Sequence, residues 1–122
     1  MIKGVGIDII EIERIERAIQ KNHRFLEKVF HCNEIMFFQE NKVTTNTIAG
    51  TFAAKEAVVK ALGTGLRNFG WHDIEIKRDS LGKPVAMLHG NAHQIMMEKD
   101  IADIMITISH CKLYAVAQAI AI

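Results

Sequence analysis

Two carboxylates stand among apolar residues, where an uncompensated charge is costly. Asp8 interrupts the run VGIDII, and Glu56 lies in the alanine-rich segment FAAKEAVVKAL. Each needs a cation, backbone donors or a metal, because an unpaired buried carboxylate is unfavourable. Oxygen ligands suit Mg²⁺, which retains waters and binds substrate phosphates. Considered singly, pairing of Glu56 with Lys60 one helical turn away, and capping of a turn by Asp8, are the simpler alternatives.

Basic and glycine residues surround the second carboxylate. Lys55 and Lys60 precede the tripeptide Gly63-Thr64-Gly65. Lysine amines beside flexible backbone amides can cradle a diphosphate, although neither a Walker A loop nor a Rossmann fingerprint is present. We therefore predict a phosphate site here. The alternatives are a helix that simply stops at Gly63 and lysines that are solvated.

The histidines offer weaker signals. His89 and His93 have a spacing that can bind zinc on a helix, but the Gly-Asn pair that follows His89 disfavours a helix there, so we do not expect zinc. Ser109-His110 lacks the G-x-S-x-G surroundings of a nucleophile elbow. His110 could contact a phosphate or simply finish a turn.

Five basic residues recur on one face of the first predicted helix, provided that this helix is regular. They are Arg14, Arg17, Lys21, Arg24 and Lys28. The neighbouring glutamates fall largely off this face, so the patch could attract an acidic helix although the net charge is only +1. A solvated helix face is the alternative.

The spacing of apolar residues predicts the elements that position these side chains. A strand over 3–10 is followed by a helix over 11–30, with a possible break near Asn22 and His23. Further helices are predicted over 33–40, 48–62 and 91–99, and the helix over 48–62 should end at Gly63. Ile74 and Ile76 mark a strand that forms a hairpin with 85–88, and two strands over 103–109 and 113–120 close the chain.

Length and composition favour a single domain over residues 1–122 of the α+β class. The last strand, LYAVAQAIAI, is apolar on both faces, which predicts either self-association or a sheet sandwiched between the chain's own helices. The near-neutral charge gives no global field for nucleic acid, and no apolar run has membrane length. Cys32 and Cys111 form no CxxC pattern, so we expect reduced thiols in a soluble cytoplasmic protein.

Four segments together carry a resemblance to a known family. GIDIIEIERI, FAAKEAVVKALGTG, WHDIEIKRDSLGKP and ISHCKLYAVAQAI resemble the holo-acyl-carrier-protein synthase family of the 4'-phosphopantetheinyl transferase superfamily, almost from end to end. The resemblance implies a small domain in which an antiparallel sheet packs on a long central helix. It also implies a homotrimer with active sites at the subunit interfaces.

The same resemblance implies roles for individual residues. Asp8 and Glu56 would bind Mg²⁺ and, with Lys60, form the catalytic group. Coenzyme A would be bound by Lys60, Gly63, Thr64, Gly65, Pro84 and His110, with Lys55 as the further lysine of the cradle. Acyl carrier protein would dock on Arg14, Arg17, Lys21, Arg24, Phe25 and Lys28.

The activity implied is transfer of the 4'-phosphopantetheine group from coenzyme A to a serine of apo-acyl carrier protein in fatty acid biosynthesis. Adenosine 3',5'-bisphosphate leaves, and Glu56 is the candidate to accept the serine proton, directly or through water. Two alternatives use the same residues. One is a metal-dependent nucleotide diphosphate hydrolase, and the other is a noncatalytic trimeric interaction module in which Asp8 and Glu56 are paired charges.

Overall fold

The computed structural model describes residues 1–122 as five α-helices, one turn of 3-10 helix over Trp71–Asp73 and five strands. The helices are α1 Ile12–Lys21, α2 Phe25–Val29, α3 Cys32–Glu40, α4 Thr45–Leu62 and α5 Gly90–Glu98. The strands are β1 Gly4–Glu11, β2 Ile74–Arg78, β3 Pro84–Leu88, β4 Ile104–His110 and β5 Tyr114–Ala121. The α+β prediction is confirmed. The helices are all too short or too polar to span a lipid bilayer.

The strands form two antiparallel sheets. One has three strands in the order β1-β5-β4, and the other is the β2-β3 hairpin that the turn signal predicted. In the larger sheet Asp8 lies opposite Ala117, which in turn lies opposite Ile108. The two edge strands, β1 and β4, therefore carry Asp8 and His110 at opposite edges of one sheet.

Helix α4 lies across the larger sheet at unusually close range. Gly6 lacks a side chain where a Cβ would lie 1.9 Å from the Ala57 carbonyl oxygen, and a Cβ at Gly4 would lie 2.0 Å from that of Ala61. Alanines fill both sides of this contact, including Ala117, Ala119 and the alanines of α4 itself. Small residues thus allow the backbones of β1 and α4 to approach, and they bring Asp8 towards the helix.

The opposite face of the sheet has no cover within the chain. Val5, Ile7 and Ile9 point outwards from β1 and are 61%, 61% and 65% exposed. Met105 of β4 and Tyr114 of β5 are exposed as well. The alternative of a sheet sandwiched between the chain's own helices is therefore wrong. A bare apolar sheet face is typical of a surface that meets another protein.

The first predicted helix is divided at the predicted break. Asn22 closes α1 and its side chain accepts a hydrogen bond from the backbone of Arg24, which turns the chain before α2 begins. The premise of one regular helix is therefore wrong. Arg24 lies in the turn and Lys28 on α2, so the five basic residues do not form one continuous helical stripe.

Helix α4 begins three residues before the prediction, since Thr44 is its N-cap. It ends where predicted, at Gly63, whose φ of 79° is the left-handed conformation that favours glycine. The C-terminal end of α4 and the loop after it therefore have the geometry that the sequence indicated.

Candidate active site

Three charged side chains of β1 and α4 meet at one edge of the sheet. The Lys60 ammonium donates to the Ile7 carbonyl oxygen at 2.9 Å and lies 3.4 Å from an Asp8 carboxylate oxygen. Glu56 lies one helical turn before Lys60 and is half-buried. The predicted group of Asp8, Glu56 and Lys60 is therefore assembled within a single chain.

Glu56 is the uncompensated member of this group. It takes part in none of the ion pairs of the chain, because Lys60 pairs with Asp8. Burial raises the pKa of the Glu56 carboxyl above its ordinary value, the nearby Asp8 charge raises it further, and Lys60 only partly opposes this. The simple alternative of a Glu56–Lys60 pair is not what the structure contains.

These residues suit a divalent cation. Two carboxylates that repel each other, one of them without a cationic partner, would both be stabilised by an ion between them. Carboxylate oxygens are the ligands that Mg²⁺ prefers, and two protein ligands leave room for water and phosphate. Asp8 and Glu56 would hold the ion.

A second cation, which the sequence analysis did not single out, lies beside the loop after α4. The C-terminal end of a helix carries partial negative charge, so a phosphate there requires nearby cations. Lys60 lies in the last turn, and the Lys99 ammonium lies 3.5 Å from the position of a Cβ at Gly63. Thr64 donates its hydroxyl to the Gly65 carbonyl oxygen and so closes the loop. Nothing in the local sequence connects Lys99, 36 residues later, with Gly63.

The structure contradicts the prediction for Lys55. Its side chain has no exposed surface, and its ammonium pairs with the equally buried Glu34 carboxylate at 2.6 Å. Glu34 also accepts hydrogen bonds from the backbone amides of His31 and Ile76. An amine enclosed in this way cannot reach a phosphate without leaving Glu34, so Lys55 does not belong to the phosphate cradle.

Pro84 and His110 lie together, but apart from the carboxylates. Both line a cavity of about 290 Å³ with Arg78, Gly82 and residues of α4 and β4. Arg78 donates to the Thr51 hydroxyl at 3.2 Å and supplies a positive charge that the sequence analysis missed. Asp8 and Ile108, a residue of this cavity, are two strand spacings apart, about 10 Å.

The predicted docking residues are exposed, with one exception. Arg14, Arg17, Lys21, Arg24 and Lys28 all face solvent. Arg17 pairs with Glu13 at 2.7 Å, so that glutamate does not fall off the basic face as predicted. Phe25 is half-buried, with its ring packed edge-on against Phe30 at 6.4 Å between centroids.

Comparison with known proteins gives one consistent result. Residues 4–117 match the 4'-phosphopantetheinyl transferase superfamily. A holo-[acyl-carrier-protein] synthase of Alkaliphilus oremlandii is 58% identical over 122 residues, which is 100% of both chains. The crystal structure of holo-[acyl-carrier-protein] synthase from Neisseria meningitidis has a TM-score of 0.92 and 31% identity, covering 100% of this chain and 99% of the other.

A further solved structure contains a ligand. The holo-(acyl-carrier-protein) synthase from Bacillus anthracis in complex with CoA (3',5'-ADP) has a TM-score of 0.81 and 38% identity, covering 99% of this chain and 96% of the other. Relatives of this identity over the whole chain establish the family. This chain therefore belongs to the holo-[acyl-carrier-protein] synthase family of the 4'-phosphopantetheinyl transferase superfamily.

Proposed function

We propose that this chain transfers the 4'-phosphopantetheine group of coenzyme A to a serine of apo-acyl carrier protein, in the cytoplasm and for fatty acid biosynthesis. The observation that carries the proposal is the uncompensated Glu56 beside Asp8 and Lys60, in a chain 58% identical to a holo-[acyl-carrier-protein] synthase. The serine oxygen attacks the β-phosphate of coenzyme A. The phosphoanhydride bond breaks, and adenosine 3',5'-bisphosphate leaves.

Each residue of the group has a distinct task. Asp8 and Glu56 hold Mg²⁺, which when bound supplies positive charge to the diphosphate oxygens. Glu56 accepts the serine proton, directly or through a water. Lys60 and the loop Gly63–Gly65 bind the phosphates, and Lys60 stabilises the charge on the leaving group. No enzyme nucleophile is required.

We further propose that the site is completed between protomers of a homotrimer. Asp8 and His110 lie at opposite edges of one sheet, and a ring of three protomers brings unlike surfaces together at each interface. The bare face formed by Val5, Ile7 and Ile9 supplies apolar surface for such contacts. The cavity of Arg78, Pro84 and His110 in one protomer would then bind the coenzyme A whose diphosphate lies at Asp8 and Glu56 of its neighbour.

Acyl carrier protein docks on the exposed basic residues of α1, α2 and the turn between them. Those residues are Arg14, Arg17, Lys21, Arg24 and Lys28, with the half-buried Phe25 beside them. Positive charge on this surface steers an acidic partner towards the site and accelerates association. The division of the helix changes the shape of the surface from one stripe into two short patches.

Mass spectrometry of the acceptor tests the reaction. Apo-acyl carrier protein incubated with this chain, coenzyme A and Mg²⁺ should gain one phosphopantetheine, and adenosine bisphosphate should appear only when the acceptor is present. Release of the bisphosphate without acceptor would indicate a hydrolase instead. Absence of both products, with no Mg²⁺-dependent binding of coenzyme A, would indicate an interaction module.

Mixing of inactive variants tests the shared site. Asp8→Asn and His110→Ala chains, unfolded and refolded together, should regain activity, because every mixed trimer contains one interface with two intact half-sites. A site within one protomer would give no recovery. Light scattering on the same mixture measures the mass of the assembly.

A further inference from the structure

A second polar cluster lies away from the residues assigned to transfer. His31 is the N-cap of α3, Glu75 lies in β2, and His89 directly follows β3. Their nearest ligand atoms all lie within 4.8 Å of one another. Three separate elements thus bring two imidazoles to one carboxylate, and the proposed transfer reaction uses none of the three residues.

The distances match those of a coordination sphere. The Glu75 Oε1 atom lies 2.9 Å from His89 Nε2 and 3.9 Å from His31 Nδ1. Ligands at 2.0–2.2 Å around a tetrahedral ion lie roughly 3.4 Å apart, a value between these two distances. The two imidazole rings are stacked with 5.3 Å between centroids and 20° between planes. Because an imidazole nitrogen binds an ion in the plane of its ring, one ring turns when both bind the same ion.

The Glu75 carboxylate has a fixed position. Glu75 is 2% exposed, and its Oε2 atom accepts a hydrogen bond from the Asn33 side chain at 3.3 Å. The two histidine side chains are 23% and 38% exposed, so an ion could enter from solvent.

We propose that His31, Glu75 and His89 form a binding site for a divalent transition-metal ion of the Zn²⁺ type, distinct from the site for Mg²⁺. Two imidazoles and one carboxylate suit Zn²⁺ and similar ions, which prefer nitrogen ligands, and not Mg²⁺. A fourth ligand position would be left for water. Since the ligands come from α3, β2 and the end of β3, the ion ties the hairpin to the helical part of the chain.

Binding requires two local exchanges. An ion between His89 Nε2 and Glu75 Oε1 replaces the hydrogen bond that joins these atoms at 2.9 Å. His31 Nδ1 also accepts the hydrogen bond from the Asn33 backbone amide at 3.0 Å, which caps α3. An ion at Nδ1 replaces that bond with coordination. The variant His31→Asn separates the two roles, because asparagine is a good N-cap and supplies no imidazole.

The test is a titration with Zn²⁺ alone as the probe. Exposed thiols bind zinc themselves, so the parent protein carries Cys32→Ser and Cys111→Ser, and excess Mg²⁺ occupies the carboxylates of the other site. A chromophoric chelator competes for Zn²⁺, and far-ultraviolet circular dichroism checks the fold. We expect one Zn²⁺ per chain in the parent and weakening by more than about tenfold in both His89→Gln and His31→Asn.

Two controls separate this site from its surroundings. His93→Gln removes an exposed histidine of α5 outside the cluster, and Glu56→Gln removes a ligand of the proposed Mg²⁺ site. Both should bind Zn²⁺ as the parent does, and the first also rules out the helical His89–His93 pair. The proposal is overturned if the parent binds no stoichiometric Zn²⁺, or if His89→Gln and His31→Asn bind it with parental affinity. Loss of Zn²⁺ binding in Glu56→Gln would also overturn the proposal, because the ion would then bind at the carboxylates assigned to Mg²⁺.

Discussion

Lys55 and Glu56 are consecutive residues of α4, yet they belong to two regions with opposite electrostatics. The side chains of consecutive helical residues point about 100° apart around the axis, so these two lie in different surroundings. Lys55 is fully enclosed, and its charge is neutralised by Glu34 at 2.6 Å. Glu56 is half-buried beside another carboxylate and forms no ion pair.

The difference separates charges that hold the fold from charges available to a ligand. Burial lowers the pKa of Lys55, and the Glu34 carboxylate only partly opposes this, so the charge of Lys55 depends on its pairing with Glu34 inside the fold. At Glu56 both burial and Asp8 disfavour the ionised form, so the charge is left for a cation to stabilise. The predictions below test whether stability and activity divide between the two regions in this way.

The largest effect is expected at Glu56. Glu56→Gln should lower the rate of phosphopantetheine transfer by about 10²–10⁴-fold, the usual loss when a general base is removed. The free energy of unfolding should not fall, because no ion pair is broken. Steady-state kinetics and urea unfolding of the same sample measure the two quantities. If the free energy of unfolding fell by as much as the activation free energy of transfer rose, stability and activity would not divide between the two regions.

Substitution of the enclosed Lys55–Glu34 pair should change the stability of the fold. Glu34→Ala should lower the free energy of unfolding by about 3–5 kcal/mol, since it leaves the Lys55 ammonium buried and unpaired. The double variant Glu34→Leu/Lys55→Met removes both charges and should recover much of that loss. Urea unfolding measures both. If Glu34→Ala were as stable as the parent, the pair would contribute nothing to the fold.

A smaller effect is expected in the pKa of Glu56. Asp8→Asn should lower the pKa of Glu56, because it removes a charge that raises that pKa. In the parent, the folded chain holds the Glu56 proton more tightly than the unfolded chain. Stability from this group is therefore lost as the pH rises from about 4.5 through the raised pKa. That loss should be smaller in Asp8→Asn. Carboxyl-carbon NMR titration without metal measures the shift, and an unchanged Glu56 pKa would contradict the proposed interaction.

The smallest effects extend the comparison to the exposed surface. Arg17 already pairs with Glu13, whereas Arg14 takes part in no ion pair. Arg14→Ala should therefore weaken binding of acyl carrier protein more than Arg17→Ala does, with the difference about 0.2–1 kcal/mol, the range measured for exposed pairs. Surface plasmon resonance at low and high salt measures this. A larger loss at Arg17 would mean that Glu13 releases it to the partner.

The sequence was sufficient for features that depend on local spacing. The hairpin, the stop at Gly63 and the helix carrying Glu56 and Lys60 follow from turn residues and apolar period. The group of Asp8 with Glu56 was predictable because both carboxylates stand in apolar runs. Their shared role came from the family resemblance and not from spacing.

Features that depend on distant partners could not be predicted. Helix α4 is buried on most sides, so no apolar stripe indicates which of Lys55 and Glu56 would be enclosed. The answer depends on Glu34, 21 residues earlier in α3. The placement of Lys99 beside Gly63 has the same cause, since it depends on where the chain after α5 passes relative to the end of α4.

Gly4 and Gly6 bear on the ion selectivity of the proposed metal site. Magnesium requires oxygen ligands at 2.0–2.1 Å, whereas calcium accepts 2.3–2.6 Å and more of them. With Asp8 and Glu56 as ligands, the gap between β1 and α4 would determine which of these ion–oxygen distances both carboxylates can satisfy together. The backbones of β1 and α4 are in contact at Gly4 and Gly6, which have no side chains, and this contact sets the gap. A methyl group at Gly6 would widen the gap and favour the larger ion, although neither carboxylate had changed.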